Sequence, residues 1–433
     1  MDQNSIWTQT AKLPKFPALP HDLKTDVLVI GGGIAGILCT YYLQRAGVDC
    51  VLVEANRICS GITQNTTAKI TAQHGMIYHK IARRYGTDAA KQYWQSNERA
   101  LAEYRKLCEN IDCDFEEQRN YVYSVADLKL AERELRILRE IGADAELVTS
   151  LPLPFPIAGA VCVPKQAQFH PLKFVAEISK DLRIYERTKV RELMQGKAIT
   201  DRGTITADKF LITTHFPLLN KHGLYFMKLY QHRSYVLALK DAPVMDGMYV
   251  DDDAKGMSFR RHNDLLLLGG GGHRTGKQGG NWRELRLFCV RHYPQSRELA
   301  HWAAQDCMTL DGLPYIGTYS KATENLYVAT GFHKWGMTAS MVAAELLTDL
   351  ILEKDNPYEQ LYSPSRTMIH PQLFLNSAEA VKSILTPTVP RCPHMGCALK
   401  YNKAEHSWDC PCHGSRFTSD GELIDNPATD DMT

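Results

Sequence analysis

Two short loops near the C-terminal end of the 433-residue chain carry side chains that ligate metals: Pro390-Arg-Cys-Pro-His-Met-Gly-Cys397 and Trp408-Asp-Cys-Pro-Cys-His-Gly-Ser415. Each loop sets a cysteine near a histidine, Cys392 with His394 and Cys410 with His413, and each holds one more cysteine, Cys397 or Cys412. A mixed pair in each loop suits a [2Fe–2S] centre in which two histidines replace two cysteines on one iron. Two cysteines and two histidines are also a zinc set, but structural zinc sites usually group ligands as Cys-x-x-Cys and His-x-x-x-His, and here every pair is mixed. The chemistry implied is electron transfer.

A second constellation lies near the other end. The apolar run Thr25-Asp-Val-Leu-Val-Ile30 reads as a strand and feeds straight into Gly31-Gly-Gly33-Ile-Ala-Gly36. A helix follows through Ile37, Leu38, Tyr41, Tyr42 and Leu43, and a second strand, Cys50-Val-Leu-Val53, stops at Glu54. Such a βαβ unit is the context in which the glycine fingerprint binds a dinucleotide. Gly31 permits the tight turn, Gly33 admits a pyrophosphate and Gly36 lets helix and strand pack closely. The helix N-terminus offers free N–H groups to phosphate, and Glu54 is placed to accept ribose hydroxyls. The polar, small-residue block from Arg57 to His74 has neither helical nor strand period. It reads either as a solvated loop or as backbone lining the dinucleotide, and Arg57, Thr67 and Lys69 are its candidate contacts.

The elements that must position these groups fill a long chain. At 433 residues it exceeds one ordinary domain. Helical spacing of apolar residues marks Ala89 to Asn110 and Ala126 to Ile141, with a strand at Asn120–Ser124 between them. The His170-Pro-Leu-Lys-Phe segment opens another helix. Strands read at Arg183–Tyr185, Lys189–Leu193, Lys209–Thr213, Tyr235–Leu239 and Asp264–Leu268, and the Gly269–Gly272 run marks a close turn. A strand at Asn325–Thr330 enters Gly331-Phe-His-Lys-Trp-Gly-Met-Thr338 and then a helix at Ala339–Leu352, a second glycine loop leading into a helix N-terminus. Prolines at 357, 364, 371, 387 and 390 mark a linker.

Composition narrows the partners. Net charge is +1, which gives no electrostatic case for nucleic acid or an anionic membrane. No apolar run approaches the ~20 residues of a membrane span. The polar start Met1-Asp-Gln-Asn-Ser is no secretory signal, and cysteines scattered outside the two loops are not a disulfide scaffold. A soluble, cytoplasmic protein is expected.

The two constellations resemble known families. The C-terminal loops are similar to those of Rieske iron–sulfur proteins, which read Cys-x-His-x-Gly-Cys and Cys-x-Cys-His-Gly-Ser. By that resemblance Cys392 and Cys410 hold one iron, His394 and His413 the other, and Cys397 and Cys412 form a bracing disulfide. Ser415 is then the hydroxyl near a cluster sulfur, and Gly421, Pro427 and Ala428 match the residues after the second loop. Phe417 stands where high-potential members often carry Tyr, which implies a lowered potential. The short module implies a reduced β-base leaning on the rest of the protein.

The first ~355 residues resemble the D-amino-acid oxidase and glycine oxidase group of FAD-dependent oxidoreductases, through Gly31, Gly33, Gly36 and Glu54, the His170-Pro helix with Val190, Asp311-Gly-x-Pro-x-Ile-Gly317, and Gly331 to Thr338. The fold class implied is α/β (α+β). It comprises a Rossmann-like FAD-binding domain with an inserted antiparallel-sheet substrate domain, plus a small β-rich Rieske-like module. FAD-binding segments are expected at about 24–85, 150–220 and 305–355, the substrate domain at about 86–149 and 221–304, a linker at 356–387 and the module at 388–433. The resemblance implies FAD contacts at Glu54, Val190, Gly331, Gly336, Met337 and Thr338, with residues 63–74 running under the flavin. Lys69 and Lys334 are candidate catalytic residues; Arg233, Arg260, Tyr121 and Trp335 are further candidates for the substrate pocket.

The function implied is oxidation of the C–N bond of a small amine or amino acid by hydride transfer to flavin, with electrons then passed singly to the [2Fe–2S] cluster and on to an acceptor the resemblance does not name. The alternative is a non-catalytic flavin and iron–sulfur redox sensor read by a binding partner.

Overall fold

A computed structural model describes residues 4–219, 222–243, 245–253, 255–387 and 389–432. The strand Leu23–Ile30 is apolar and buried along its second half because it lies between two parallel neighbours, Cys50–Val53 and Thr204–Ile212. Parallel strands buried on both faces read as continuous apolar runs. Across the sheet the order is Tyr315–Thr318, Leu326–Thr330, Thr204–Ile212, Leu23–Ile30, Cys50–Val53 and Ile184–Tyr185, with two further strands at Val190–Met194 and Lys197–Thr200. The helices Ile34–Arg45 and Gly336–Ile351, each buried along much of its length, pack against one another.

The second sheet has nine strands, in the order Arg297–Thr309, Leu229–Lys240, Leu265–Arg274, Ser258–His262, Met248–Asp251, Glu116–Ser124, Gly159–Gln168 and Lys69–Ile70, with Glu146–Val148 beside Gly159–Gln168. It is antiparallel except where Met248–Asp251 runs parallel to Glu116–Ser124. Gly159–Gln168 and Lys69–Ile70 lie outside residues 86–149 and 221–304, so this sheet draws on more of the chain than those segments.

The Gly269–Gly272 run is not a turn. It lies inside the strand Leu265–Arg274. Glycine is required there by packing, since a Cβ on Gly269 would meet the Ser258 Oγ at 2.6 Å and one on Gly271 would meet the Asn281 carbonyl at 2.4 Å. Gly271 also has φ +61°, and the ladder to Leu229–Lys240 shifts register between Arg233 and Tyr235. The run is a bulge against the helix Asn281–His292.

The segment after residue 355 is more ordered than a linker. Arg366 is buried and makes a bidentate pair with Asp311 at 2.7 and 2.8 Å, and a 15-residue helix, Pro371–Leu385, follows. The module itself is a four-stranded antiparallel sheet, Lys400–Asn402, Ser407–Asp409, Arg416–Thr418 and Leu423–Asp425, in sequence order. Among the described residues no helix is long and apolar enough to cross a membrane.

Candidate active site and iron–sulfur centre

A cavity of about 1400 Å³ is lined by both large sheets and by the C-terminal module. Gly31, Gly33, Ile34, Ala35 and Glu54 lie at its dinucleotide end. Gly31 takes φ +110°, and a Cβ there would stand 2.8 Å from the Thr213 carbonyl; one on Gly36 would stand 1.9 Å from the Gly31 carbonyl. At Gly33 the nearest atom would be the Thr63 Oγ1 at 3.6 Å, so that glycine leaves open wall for a ligand rather than relieving a clash. The Thr63 hydroxyl accepts the Ile34 N–H at 3.0 Å, and the helix has no side-chain cap at Gly33, the condition for holding a phosphate. Glu54 accepts N–H groups from Gly32 at 2.7 Å and Asn56 at 2.8 Å. Burial raises its pKa while these N–H groups lower it. Thr188 and Val190 complete this end, with Arg57, which is half-exposed and 3.6 Å from Glu186. The helix N-terminus at the uncrowded Gly33 and the fixed Glu54 carboxylate fit an adenine dinucleotide.

Further in, residues 63–74 form one wall. The buried Arg260 donates to the carbonyls of Thr67, Ala68 and Phe169 and pins this strip to the nine-stranded sheet. Lys69 donates to the Thr67 hydroxyl at 3.2 Å; burial and the neighbouring Arg260 charge lower its pKa to about 7. His74 joins three elements, with Nδ1 at 2.6 Å from the Tyr93 hydroxyl and Nε2 at 2.7 Å from the Thr71 carbonyl and 2.9 Å from the Thr338 hydroxyl. Its ring stacks on Trp335 at 4.9 Å. Gly331, Lys334, Trp335, Gly336 and Met337 line the cavity opposite. Gly331 and Lys334 take φ +70° and +73°, which turns the loop back before the helix begins. Burial lowers the pKa of Lys334, opposed by Asp306, which lies on the strand Arg297–Thr309.

The cavity ends at the module. Arg233 donates through Nε (3.1 Å) and Nη2 to Glu405, and Tyr235 adds its hydroxyl at 2.9 Å. Arg416 completes the network with Glu405 at 2.8 Å, Asp409 at 3.0 Å and Asp425 at 3.0 Å. Burial works to raise the Glu405 pKa, but Arg233 and Arg416 outweigh it and hold the carboxyl at about 2.

Behind this network stand the two loops. Cys392 and Cys410 are each 1% exposed. Their thiols touch, and Cys410 together with the Ser415 hydroxyl favours thiolate at Cys392 while raising the Cys410 pKa. The rings of His394 and His413 are perpendicular, 5.0 Å apart, and the buried Nδ1 of His413 has no hydrogen-bond partner among the described residues. Cys397 and Cys412 are joined as a disulfide. Sulfur proximity alone would group Cys397, Cys410 and Cys412, but two of these are bonded to each other and cannot serve as thiolate ligands. Two buried thiols and two imidazoles, one with an orphaned nitrogen, fit a mixed-ligand [2Fe–2S] cluster better than zinc.

Body residues hold these loops. Arg274 donates to the carbonyls of Pro411 and Cys412, both at 3.1 Å, and to Asn376 at 2.8 Å. Gln305 donates to the Gly414 carbonyl at 2.9 Å and Gln231 to that of Asn426 at 2.9 Å. Asn426 in turn donates to the Thr214 and Phe216 carbonyls at 2.7 and 2.9 Å. The Phe216 ring lies 6.4 Å from both cluster-loop histidines.

The family of FAD dependent oxidoreductases that includes the D-amino-acid oxidases (DAO) matches residues 26–350, and the Rieske [2Fe-2S] domain matches residues 367–433. The chain belongs to the FAD-dependent oxidoreductase family. It carries a C-terminal Rieske domain, and its cofactors are FAD and a [2Fe–2S] cluster. It is 34% identical to the protein named "Putative Rieske 2Fe-2S iron-sulfur protein YhfW" of Bacillus subtilis (strain 168), over 98% of this chain and 96% of that one. Gamma-glutamylputrescine oxidoreductase of Escherichia coli (strain K12) is 23% identical, over 78% of this chain and 86% of that protein. The solved glycine oxidase from Geobacillus kaustophilus shares the fold at a TM-score of 0.66 and 20% identity, covering 80% of this chain and all of that one. The chain is thus an FAD-dependent oxidoreductase with a Rieske domain.

In this oxidoreductase, Gly31, Gly33, Glu54, Arg57, Thr67, Lys69, Val190, Gly331, Lys334, Gly336 and Met337 line one cavity. Gly36 and Thr338 stand behind it, Gly36 against Gly31 and the Thr338 hydroxyl donating to the Thr71 carbonyl at 3.2 Å. Of the substrate-pocket candidates, Arg233 is committed to the Rieske domain, Arg260 to backbone carbonyls, and Tyr121 stacks on Tyr249 at 5.0 Å. Trp335 remains at the wall. The sequence reading missed Asp306, Arg274, Gln231, Gln305 and Glu405. The clustered charges Glu405, Asp409, Arg416 and Asp425 around the second loop were a signal that the module has a charged docking face.

Proposed function

We propose that this enzyme oxidises the C–N bond of a small amine or amino acid and discharges the electrons through its Rieske domain. The observation that carries this reading is the path between the two sites. The segment from Thr213 to Phe216 touches Gly31 at one end, where the Thr213 hydroxyl donates to the Gly31 carbonyl at 2.9 Å, and flanks the cluster-loop histidines with the Phe216 ring at the other. When bound, FAD supplies a two-electron hydride acceptor and the cluster a one-electron carrier.

The chain's own residues have separate tasks. Gly31, Gly33, Glu54 and Val190 would hold the adenosine and pyrophosphate, with Gly36 packed behind Gly31; Thr67, Gly331, Gly336 and Met337 would face the ring, with Thr338 behind them. Cys392, His394, Cys410 and His413 would hold the cluster. Lys69, with its pKa at about 7, can take or release a proton at neutral pH beside the strip that carries Thr67. Lys334 offers a cation at the cavity wall. The Arg233–Glu405–Arg416 network closes the far end.

The test is anaerobic mixing of the FAD- and cluster-loaded protein with a panel of amines and amino acids. Bleaching of the flavin band by at least one of them is expected. The commitment of Arg233 to Glu405 favours a second reading, a redox sensor without a substrate. No bleaching with any compound, together with partner binding that depends on redox state, would replace the enzyme reading with that one.

A further inference from the structure

We infer that Asp306 anchors the substrate through a positively charged nitrogen, so that the substrate class is a cationic amine rather than an amino acid held by its carboxylate. The inference deepens the proposed C–N oxidation and rests on it. Asp306 lies on the strand Arg297–Thr309, paired across the sheet with His232, and lines the cavity. Among the described residues its carboxylate accepts no hydrogen bond and joins no ion pair. The charged or titratable groups that act on it are Lys334, His215 and Arg233. Arg233 is committed to Glu405, and the His215 Nε2 lies 3.2 Å from the Gln231 Oε1. Burial pushes the Asp306 carboxyl upward against all three, as expected of a carboxylate that no partner matches closely. A half-buried carboxylate facing a cavity without a hydrogen-bonded partner is unfavourable, and a ligand ammonium would pair it.

The rest of the wall agrees. Trp335 lines the same cavity, and aromatic faces attract cations. The buried arginines at the wall, Arg233 and Arg416, are both engaged by Glu405. Among the described residues a substrate carboxylate would therefore find no free buried guanidinium fork, the group best shaped to hold it, since the other lining arginines, Arg57, Arg83 and Arg84, are exposed.

The test uses the FAD-loaded full chain under anaerobic conditions, with butylamine and butyrate as probes and the visible flavin band as the readout of binding. Butylamine should bind about tenfold or more tightly than butyrate. Asp306→Asn should weaken butylamine about tenfold or more, while Asp306→Glu should restore most of the affinity; the FAD content of each variant reports folding. Tighter binding of butyrate, no butylamine binding, or equal butylamine binding by the Asp306→Asn variant overturns the role of Asp306. Those outcomes leave C–N oxidation standing if any amino acid still bleaches the flavin. Failure of every amine and amino acid to bleach it, with the butylamine preference intact, removes the oxidation and keeps the cation site.

Discussion

Phe417 is wholly buried among Cys392, Cys410 and the disulfide, so its position beside the cluster loops has no hydroxyl to offer a sulfur. Hydrogen bonds to cluster sulfurs raise the potential, and Phe417→Tyr should raise it. A spectroelectrochemical titration checks this, and an unchanged or lower midpoint contradicts it. Glu405 makes a pH prediction. Its carboxyl ionises at about 2 in the fold against an ordinary 4.5. A depressed carboxylate stabilises fully above its unfolded pKa and loses that contribution as pH falls toward the folded value. The expected contribution is about 3 kcal/mol, lost between roughly pH 4.5 and 2. The stability gap between the native chain and Glu405→Gln, measured by thermal unfolding, should therefore shrink from pH 6 to pH 3. A gap that stays constant would mean the carboxylate is not held by Arg233 and Arg416.

Among the elements, the Leu23–Ile30 strand, its glycines and the Ile34–Arg45 helix were legible because each signal is local: apolar strand, turn, close approach, helix. Gly36→Val should abolish FAD binding, since its first added carbon already collides with the Gly31 carbonyl; FAD retained at one per chain would contradict the packing. The Gly269–Gly272 bulge was misread as a turn because glycine serves both uses, and only the Ser258 and Asn281 contacts distinguish them. The Pro371–Leu385 helix was hidden by the prolines around it, one of which occupies the first helical position, where it is tolerated. That helix and the second cluster loop are both tied to Arg274. Arg274→Ala should leave FAD content unchanged while raising the rate of limited proteolysis between the body and the module severalfold. An unchanged cleavage rate would show that Arg274 does not hold the docking.

For the molecule as a whole, the identity of its two cofactors could be read from short motifs, whereas their coupling could not. The contacts that dock the Rieske domain join Arg233 to Glu405 and Gln305 to Gly414, residues 172 and 109 positions apart. No local periodicity records such pairs. Asp306 was equally silent, since a lone acid in an alternating strand ordinarily faces solvent, and only its place in the cavity gives it meaning. The docked arrangement sets the Thr213–Phe216 segment against Gly31 at one end and beside the cluster-loop histidines at the other. The proposed passage of electrons within one chain rests on that placement, and stopped-flow reduction by an amine that bleaches the flavin tests it most directly. Flavin bleaching should come first and cluster bleaching second, at a rate independent of protein concentration. A cluster that stays oxidised while the flavin turns over would contradict the coupling.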